Sequence, residues 1–332
     1  RARGYDVPDV GADDFNRLYR PQDGIAGNPA LYDAADSDTA FLTDRTLAEL
    51  DIRKSRPWSA LVTYIRPHPP YVAPAPYHDR VAAADTPDAA QGFDHAFFDA
   101  FHSGVADLGL FWGFDGRQNA LTKDDTARCR AAYLGLIAEL DHHIGRLLDW
   151  LDDTGQADDT LLVFTSDHGD MLGDLGIWGK RTPFRQASHI PLMIRDPRHA
   201  AGKVNTVTEA IDVVPTLLRR LGGTPPRAMD GGDLDRVSER KAPVAMVEME
   251  LGTRDGSGRF EQFTGLSRQS CRAVALQTQK WRYVHFAGGF DPMLFDTVSD
   301  PMCTTDLAGS EPDRAAQLQR QLLEHRMRYA YP

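Results

Sequence analysis

Apolar residues step by 4, 3, 4, 3 and 4 through Tyr133, Ile137, Leu140, Ile144, Leu147 and Leu151, the spacing that lays one stripe along a helix. Thr122-Lys123-Asp124-Asp125 in front of this run has the form of a capping box, and Gly155 behind it suits a left-handed terminator. The pattern predicts one long amphipathic helix. A second helix is predicted from Asp38 to about Ile52, with Asp or Ser as its cap. Trp58 to Ile65, Thr160 to Ser166 and Ile190 to Arg195 are apolar without alternation. Such runs mark strands covered on both faces, as in a parallel sheet beneath helices. A further helix is predicted from Asp212 to Leu221, stopping at Gly222 and Gly223. Helices and buried strands in alternation indicate a doubly wound α/β domain.

Two stretches depart from this rhythm. Pro67, Pro69 and Pro70 follow the first strand and exclude helix, so His68 is expected on a stiff, extended loop at a strand's carboxyl end. Residues 71–121 are rich in Pro, Asp, Gly and Phe with little periodicity. They read as an excursion over the surface, a lid or a subunit contact. Beyond residue 240 the chain shortens its strands, to Val244–Met249, Arg272–Thr278 and Trp281–Phe286, and closes with a polar helix from Pro312 to Tyr329. The expected organisation is a main α/β domain over 1–240 and a C-terminal subdomain over 241–332, an antiparallel sheet with one helix.

Composition narrows the partners. With 42% hydrophobic and 26% charged residues the chain can bury a core. Its 37 Lys and Arg against 48 Asp and Glu leave a net charge of −11, which disfavours nucleic acid and anionic lipid. No apolar run reaches the roughly 18 residues that span a bilayer. Cys129, Cys271 and Cys303 form no CxxC or Cys/His cluster, and the chain opens on Arg1 with no basic-then-apolar leader. The cysteines point to a reduced, cytoplasmic setting, and the opening is equally that of a chain that never had a leader or has lost one.

In open α/β sheets ligands bind beyond the carboxyl ends of strands. Asp167 and His168 stand at such an end, in Ser166-Asp167-His168-Gly169. A carboxylate and an imidazole on one turn can share a divalent cation, and Gly169 lets the chain reverse behind them. Read alone, the tetrapeptide is equally a polar turn. Lys180 closes Gly-Asp-Leu-Gly-Ile-Trp-Gly-Lys, where an ammonium beside a metal suits an anionic substrate. The bland alternative is a solvated loop lysine. His68 can donate to an oxyanion or protonate a leaving oxygen, or be structural.

The segments YIRPHPPYVAPAPYH, LGLIAELDHHIGRLLDWLDDTGQADDTLLVFTSDHGDMLGDLGIWGKRT, IPLMIRDP, IDVVPTLLRRLGG and QKWRYVHFAGG, in this order, resemble the sulfatase branch of the alkaline phosphatase superfamily. They are most similar to its phosphonate monoester hydrolase and arylsulfatase group. The resemblance implies an alkaline-phosphatase-like α/β sandwich, with a mostly parallel central sheet flanked by helices and a small C-terminal antiparallel sheet with a helix. It implies that Asp167 and His168 are metal ligands, that Lys180 contacts the sulfuryl or phosphoryl oxygens and the nucleophile, and that His68 faces the leaving group. It also implies one divalent ion (Mn, Ca or Mg, with Zn admitted), a small anionic ester as substrate and a homo-oligomer.

The family's nucleophile is a formylglycine made within C-x-P-x-R. The three cysteines here read CRAAY, CRAVA and CTTDL, and the early acidic ligand of the family has no counterpart. Leu175 and His189 stand where relatives often carry His and Arg. The expectation is therefore a hydrolase of sulfate or phosphonate/phosphate esters whose nucleophile lies in an N-terminal segment outside this chain. Two competitors remain: a phosphomutase or phosphodiesterase of the same superfamily with a Thr or Ser nucleophile, and a non-catalytic fragment or binding protein.

Overall fold

Where the 3.6-residue stripe is strong, the chain folds as the stripe dictates. The computed structural model describes residues 19–105, 121–253 and 258–329. These divide into two compact units, one drawn from Arg1–Ala89, Asp107–Val163 and Ile194–Ala200, the other from Ala90–Ala106, Phe164–Met193 and Ala201–Pro332.

In the first unit, helix α1 (Asp38–Arg53) starts at Ser37, whose hydroxyl accepts from the Ala40 amide at 3.0 Å. Numbering helices along the whole chain, the long helix α3 (Lys123–Asp153) carries the expected capping box at Thr122 and Asp125. The buried face is turned one position from the expected stripe: Leu136, fully buried with Ala73 and Tyr77, lies on it, whereas Ile137 is 37% exposed. Gly135 lies so close to the Tyr77 carbonyl that a Cβ there would stand 2.6 Å from the oxygen.

Glu139 on α3 is 1% exposed. Burial pushes its carboxyl up to about 7, Asp38 adds to this, and Ser37 and Arg66 pull the other way. The folded state thus holds a proton that the unfolded chain, with a carboxyl near 4.5, releases. Stability carried by this group is present below about pH 4.5 and declines as pH rises towards 7. Glu139→Gln should flatten that decline and leave the variant more resistant than the parent at pH 8, read as urea midpoints at pH 5 and pH 8.

Trp58 to Ile65 departs from the expected buried strand. It joins no sheet among the described residues, and Leu61 is 93% exposed. The residue types favour a strand, but among the described residues no strand pairs with its amides. Strands β1 (Leu162–Thr165) and β2 (Leu192–Arg195) pair as a two-stranded sheet. They too are less covered than their composition suggests, with Thr165 exposed and Met193 at 59%.

The second unit is built on a four-stranded antiparallel sheet in the order β3 (Ala245–Glu250), β4 (Arg272–Gln277), β5 (Trp281–Phe286) and β6 (Met293–Asp296). Alternation along the strands assigns the faces. Ala273, Ala275, Val284, Phe286, Met293 and Phe295 enter an aromatic core. Leu276, Tyr283 and Leu294 pack on Ala315, Leu318 and Leu322, which belong to helix α7 (Pro312–Tyr329).

The aromatic core also receives helix α2 (Ala96–Val105), whose Phe97, Phe98 and Phe101 are buried. This corrects the surface reading of residues 71–121, of which 106–120 lie outside the described residues. The exposed side of α2 is short, Ala96 and Asp99, and the helix spans only ten residues, so the stripe was too brief to stand out in a Pro- and Gly-rich stretch. Three short helices complete the unit: α4 (Arg185–Ser188), α5 (Val213–Arg220) and α6 (Arg259–Thr264). The fold is α/β, and no described helix is long and apolar enough to cross a membrane.

Candidate active site

The chain after β1 is folded back by its own carboxylates and glycines. Ser166 Oγ donates to the His168 carbonyl at 2.7 Å, and the Gly169 amide donates to Ala187 of α4 at 2.8 Å. A Cβ at position 169 would sit 2.1 Å from the Gln186 carbonyl oxygen, so only glycine fits. Asp170 Oδ1 accepts from the amides of Leu172 at 2.9 Å and Gly179 at 3.1 Å, closing the loop into a ring. Leu172 and Leu175 take positive φ (48° and 57°), a strained state for a residue with a Cβ. Burial of Met171, Leu175, Ile177 and Trp178 holds that conformation in place.

The consequence is that Lys180 returns to His168. Its Nζ lies 2.6 Å from His168 Nε2. An ammonium can only donate, so Nε2 accepts and the ring hydrogen is on Nδ1, which donates to the Gly169 carbonyl at 2.7 Å. Asp167 Oδ2 stands 3.6 Å from the same Nε2, on a side chain 84% exposed. The structure therefore brings Asp167, His168 and Lys180 together in the second unit. Asp167 Oδ2 and the Lys180 ammonium both face His168 Nε2.

With the Lys180 ammonium moved off Nε2, this donor pair fits a divalent ion. Bonds of about 2.1–2.3 Å at angles between 90° and 110° place two ligand atoms about 3–3.8 Å apart, and the observed separation of 3.6 Å lies in that range. Among the described residues no group of three or more His, Cys, Asp and Glu side chains gathers. Asp167 and His168 would thus supply two ligands, with the remainder from outside these residues.

His68 belongs to the first unit. Its loop is not extended as expected but tightly turned, with the His68 amide donating to Ile65 at 3.0 Å. The cause is Arg66, whose side chain is buried and whose Nη1 donates to the carbonyls of His68 at 3.0 Å and Pro70 at 3.1 Å. His68 Nδ1 donates to the Pro69 carbonyl at 2.8 Å.

The Sulfatase family profile matches residues 3–223, well over half of the chain. This chain belongs to the sulfatase family. It is 36% identical over 307 residues to the multifunctional alkaline phosphatase superfamily protein PehA of Trinickia caryophylli, covering 88% of this chain and 59% of that one. It is 33% identical over 279 residues to the choline-sulfatase of Rhizobium meliloti (strain 1021), covering 82% and 51%. The phosphonate monoester hydrolase SpPMH from Silicibacter pomeroyi superposes with a TM-score of 0.86 at 37% identity, over 99% of this chain and 67% of that one. The sulfatase chain thus spans between half and three fifths of the length of these two curated relatives.

None of its cysteines is placed as a nucleophile. Cys129, Cys271 and Cys303 are all free and buried. Burial pushes the Cys129 thiol up to about 12 and that of Cys303 to about 11, which suppresses the thiolate.

Sequence reading did not pick out Asp170 or the 183–188 segment as parts of this site. The Gly-Asp pair at 169–170 followed by glycines at 173, 176 and 179 was the available signal of a closed loop.

Proposed function

We propose that this sulfatase-family chain is part of a metal-dependent hydrolase of sulfate esters or of phosphonate and phosphate mono- or diesters. The observation that carries the reading is the 3.6 Å approach of Asp167 Oδ2 to His168 Nε2, with Lys180 Nζ reaching the same nitrogen. Sulfatases generally use a divalent metal and a formylglycine; the latter would lie outside these 332 residues. Asp167 and His168 would hold the ion, Mn, Ca or Mg by its oxygen-rich ligation or else Zn, and when bound it supplies positive charge to the reacting sulfur or phosphorus centre. Lys180 binds the non-bridging oxygens and opposes the charge that develops on them. His68 delivers a proton through Nε2 to the leaving oxygen. The partner is a small anionic ester; the protein works as a cytoplasmic homo-oligomer away from nucleic acid and membrane.

The test is hydrolysis of an aryl sulfate and a phosphonate monoester by the protein as its gene encodes it, with intact mass recorded alongside. Turnover should vanish on chelation and return with Mn²⁺, and the mass should show the deficit of Cys-to-formylglycine conversion. Hydrolysis that survives thorough metal removal would overturn the proposal. A Thr or Ser nucleophile with no mass deficit would instead favour the phosphodiesterase reading.

A further inference from the structure

We infer that Arg282, on the central strand β5, is the positioning residue that sets the distance between Lys180 and His168. The side chain is 2% exposed and lies in the second unit with both groups. Its acceptors are all neutral. Nε and Nη2 both donate to the Pro183 carbonyl, at 2.8 and 2.6 Å, Nη2 also to Ser188 Oγ at 2.8 Å, and Nη1 to Gln277 Oε1 at 3.2 Å. Burying a guanidinium without a carboxylate is costly; here burial pulls it down to about 10. A neutral residue such as Met could fill the same volume, so the charge is held for the geometry it imposes.

That geometry is a clamp on both ends of α4. Pro183 precedes the helix, three residues after Lys180, and Ser188 ends it. Between them the Ala187 carbonyl accepts from the Gly169 amide at 2.8 Å, and Gln186 stands where any Cβ on residue 169 would collide. Gly169 in turn supplies the carbonyl that fixes the His168 ring. One fork thus fixes the exit of the loop that carries Lys180 and the floor beneath the turn that carries His168. Lysine cannot replace it, since a single ammonium cannot span Pro183, Ser188 and Gln277 in one plane.

The inference rests on the proposed role of Lys180 and His168, but the decisive readout is independent of hydrolysis. With ¹⁵N-labelled histidine and the protein stripped of metal by chelation, the His168 ring in the parent should show the Nδ1–H tautomer with Nε2 as acceptor. Arg282→Lys and Arg282→Met should both move it to a mixture of tautomers. Arg240→Met, which removes the 2.8 Å pair with Asp212 in the same unit, should leave it unchanged. Where the protein hydrolyses an ester, Arg282→Lys should lower kcat by about 10²-fold, the scale of an ångström misplacement, with KM changed less than threefold. A parent-like His168 spectrum in folded Arg282→Lys would overturn the inference, as would an equal change in Arg240→Met. If Arg282→Met does not fold, Arg282→Lys alone decides. Absence of hydrolysis with the predicted spectra would sink the functional proposal and leave the positioning intact.

Discussion

Lys180→Met should lower kcat on an aryl sulfate and on a phosphonate monoester by about 10²- to 10³-fold, the cost of removing one preorganised donor from a developing oxyanion. Methionine keeps the stem's length and removes only the charge. The loop that presents residue 180 is held by Asp170, by the buried Met171, Ile177 and Trp178, and by the Thr182 amide on the Lys180 carbonyl at 2.9 Å. The fold should therefore persist. Arg181→Met is the internal control: Arg181 Nη2 donates to the Gly252 carbonyl at 2.9 Å, so its loss should cost only a few-fold. A Lys180→Met enzyme within threefold of the parent would remove the lysine from the chemistry. A rise in KM alone would mean that it binds ground state and transition state equally.

Phe97→Ala should destabilise the second unit by about 3–5 kcal/mol, the range for a buried aromatic truncated to a methyl group. Phe97 is 0% exposed. Its ring lies 5.1 Å from Phe286, 5.5 Å from Phe101 and 6.3 Å from Phe184, centroid to centroid, so the lost volume is enclosed by rigid rings that collapse poorly. Phe97→Leu keeps most of the volume and should cost less than about 2 kcal/mol. Denaturant midpoints of the two variants check this, and a cost below about 1 kcal/mol for Phe97→Ala would take α2 out of the core.

What the sequence disclosed follows from how local each signal is. The Tyr133-to-Leu151 stripe and the Thr122/Asp125 box are complete within one helix, and α3 forms with that cap, although its buried face centres on Gly135, Leu136, Glu139 and Leu140. The α7 boundaries, Pro312 and Tyr329, were likewise visible. Helix α2 was hidden because its ten residues give one short stripe, with Ala96 and Asp99 exposed opposite the buried phenylalanines. The Trp58–Ile65 run was apolar enough for a strand, yet a strand is a property of two segments, and pairing is not written in one. In the site, Asp167 and His168 were legible as adjacent donors. Their contact with Lys180 depends on two strained leucines, an aspartate that binds amides seven residues apart and a glycine pressed on a carbonyl, none of which has a periodic signature. Arg282 was concealed for the opposite reason: within Trp-Arg-Tyr-Val-His-Phe it passes for an outward-facing residue, and only packing shows it fully enclosed.

The central claim is that Asp167 and His168 hold one divalent ion. Crystals of the protein grown with Mn²⁺ and measured near the manganese absorption edge test it most directly. The account predicts an anomalous peak bonded to an Asp167 carboxylate oxygen and to His168 Nε2, with the Lys180 ammonium displaced from that nitrogen. Manganese bound elsewhere, with Lys180 still on His168 and Asp167 unliganded, would contradict it.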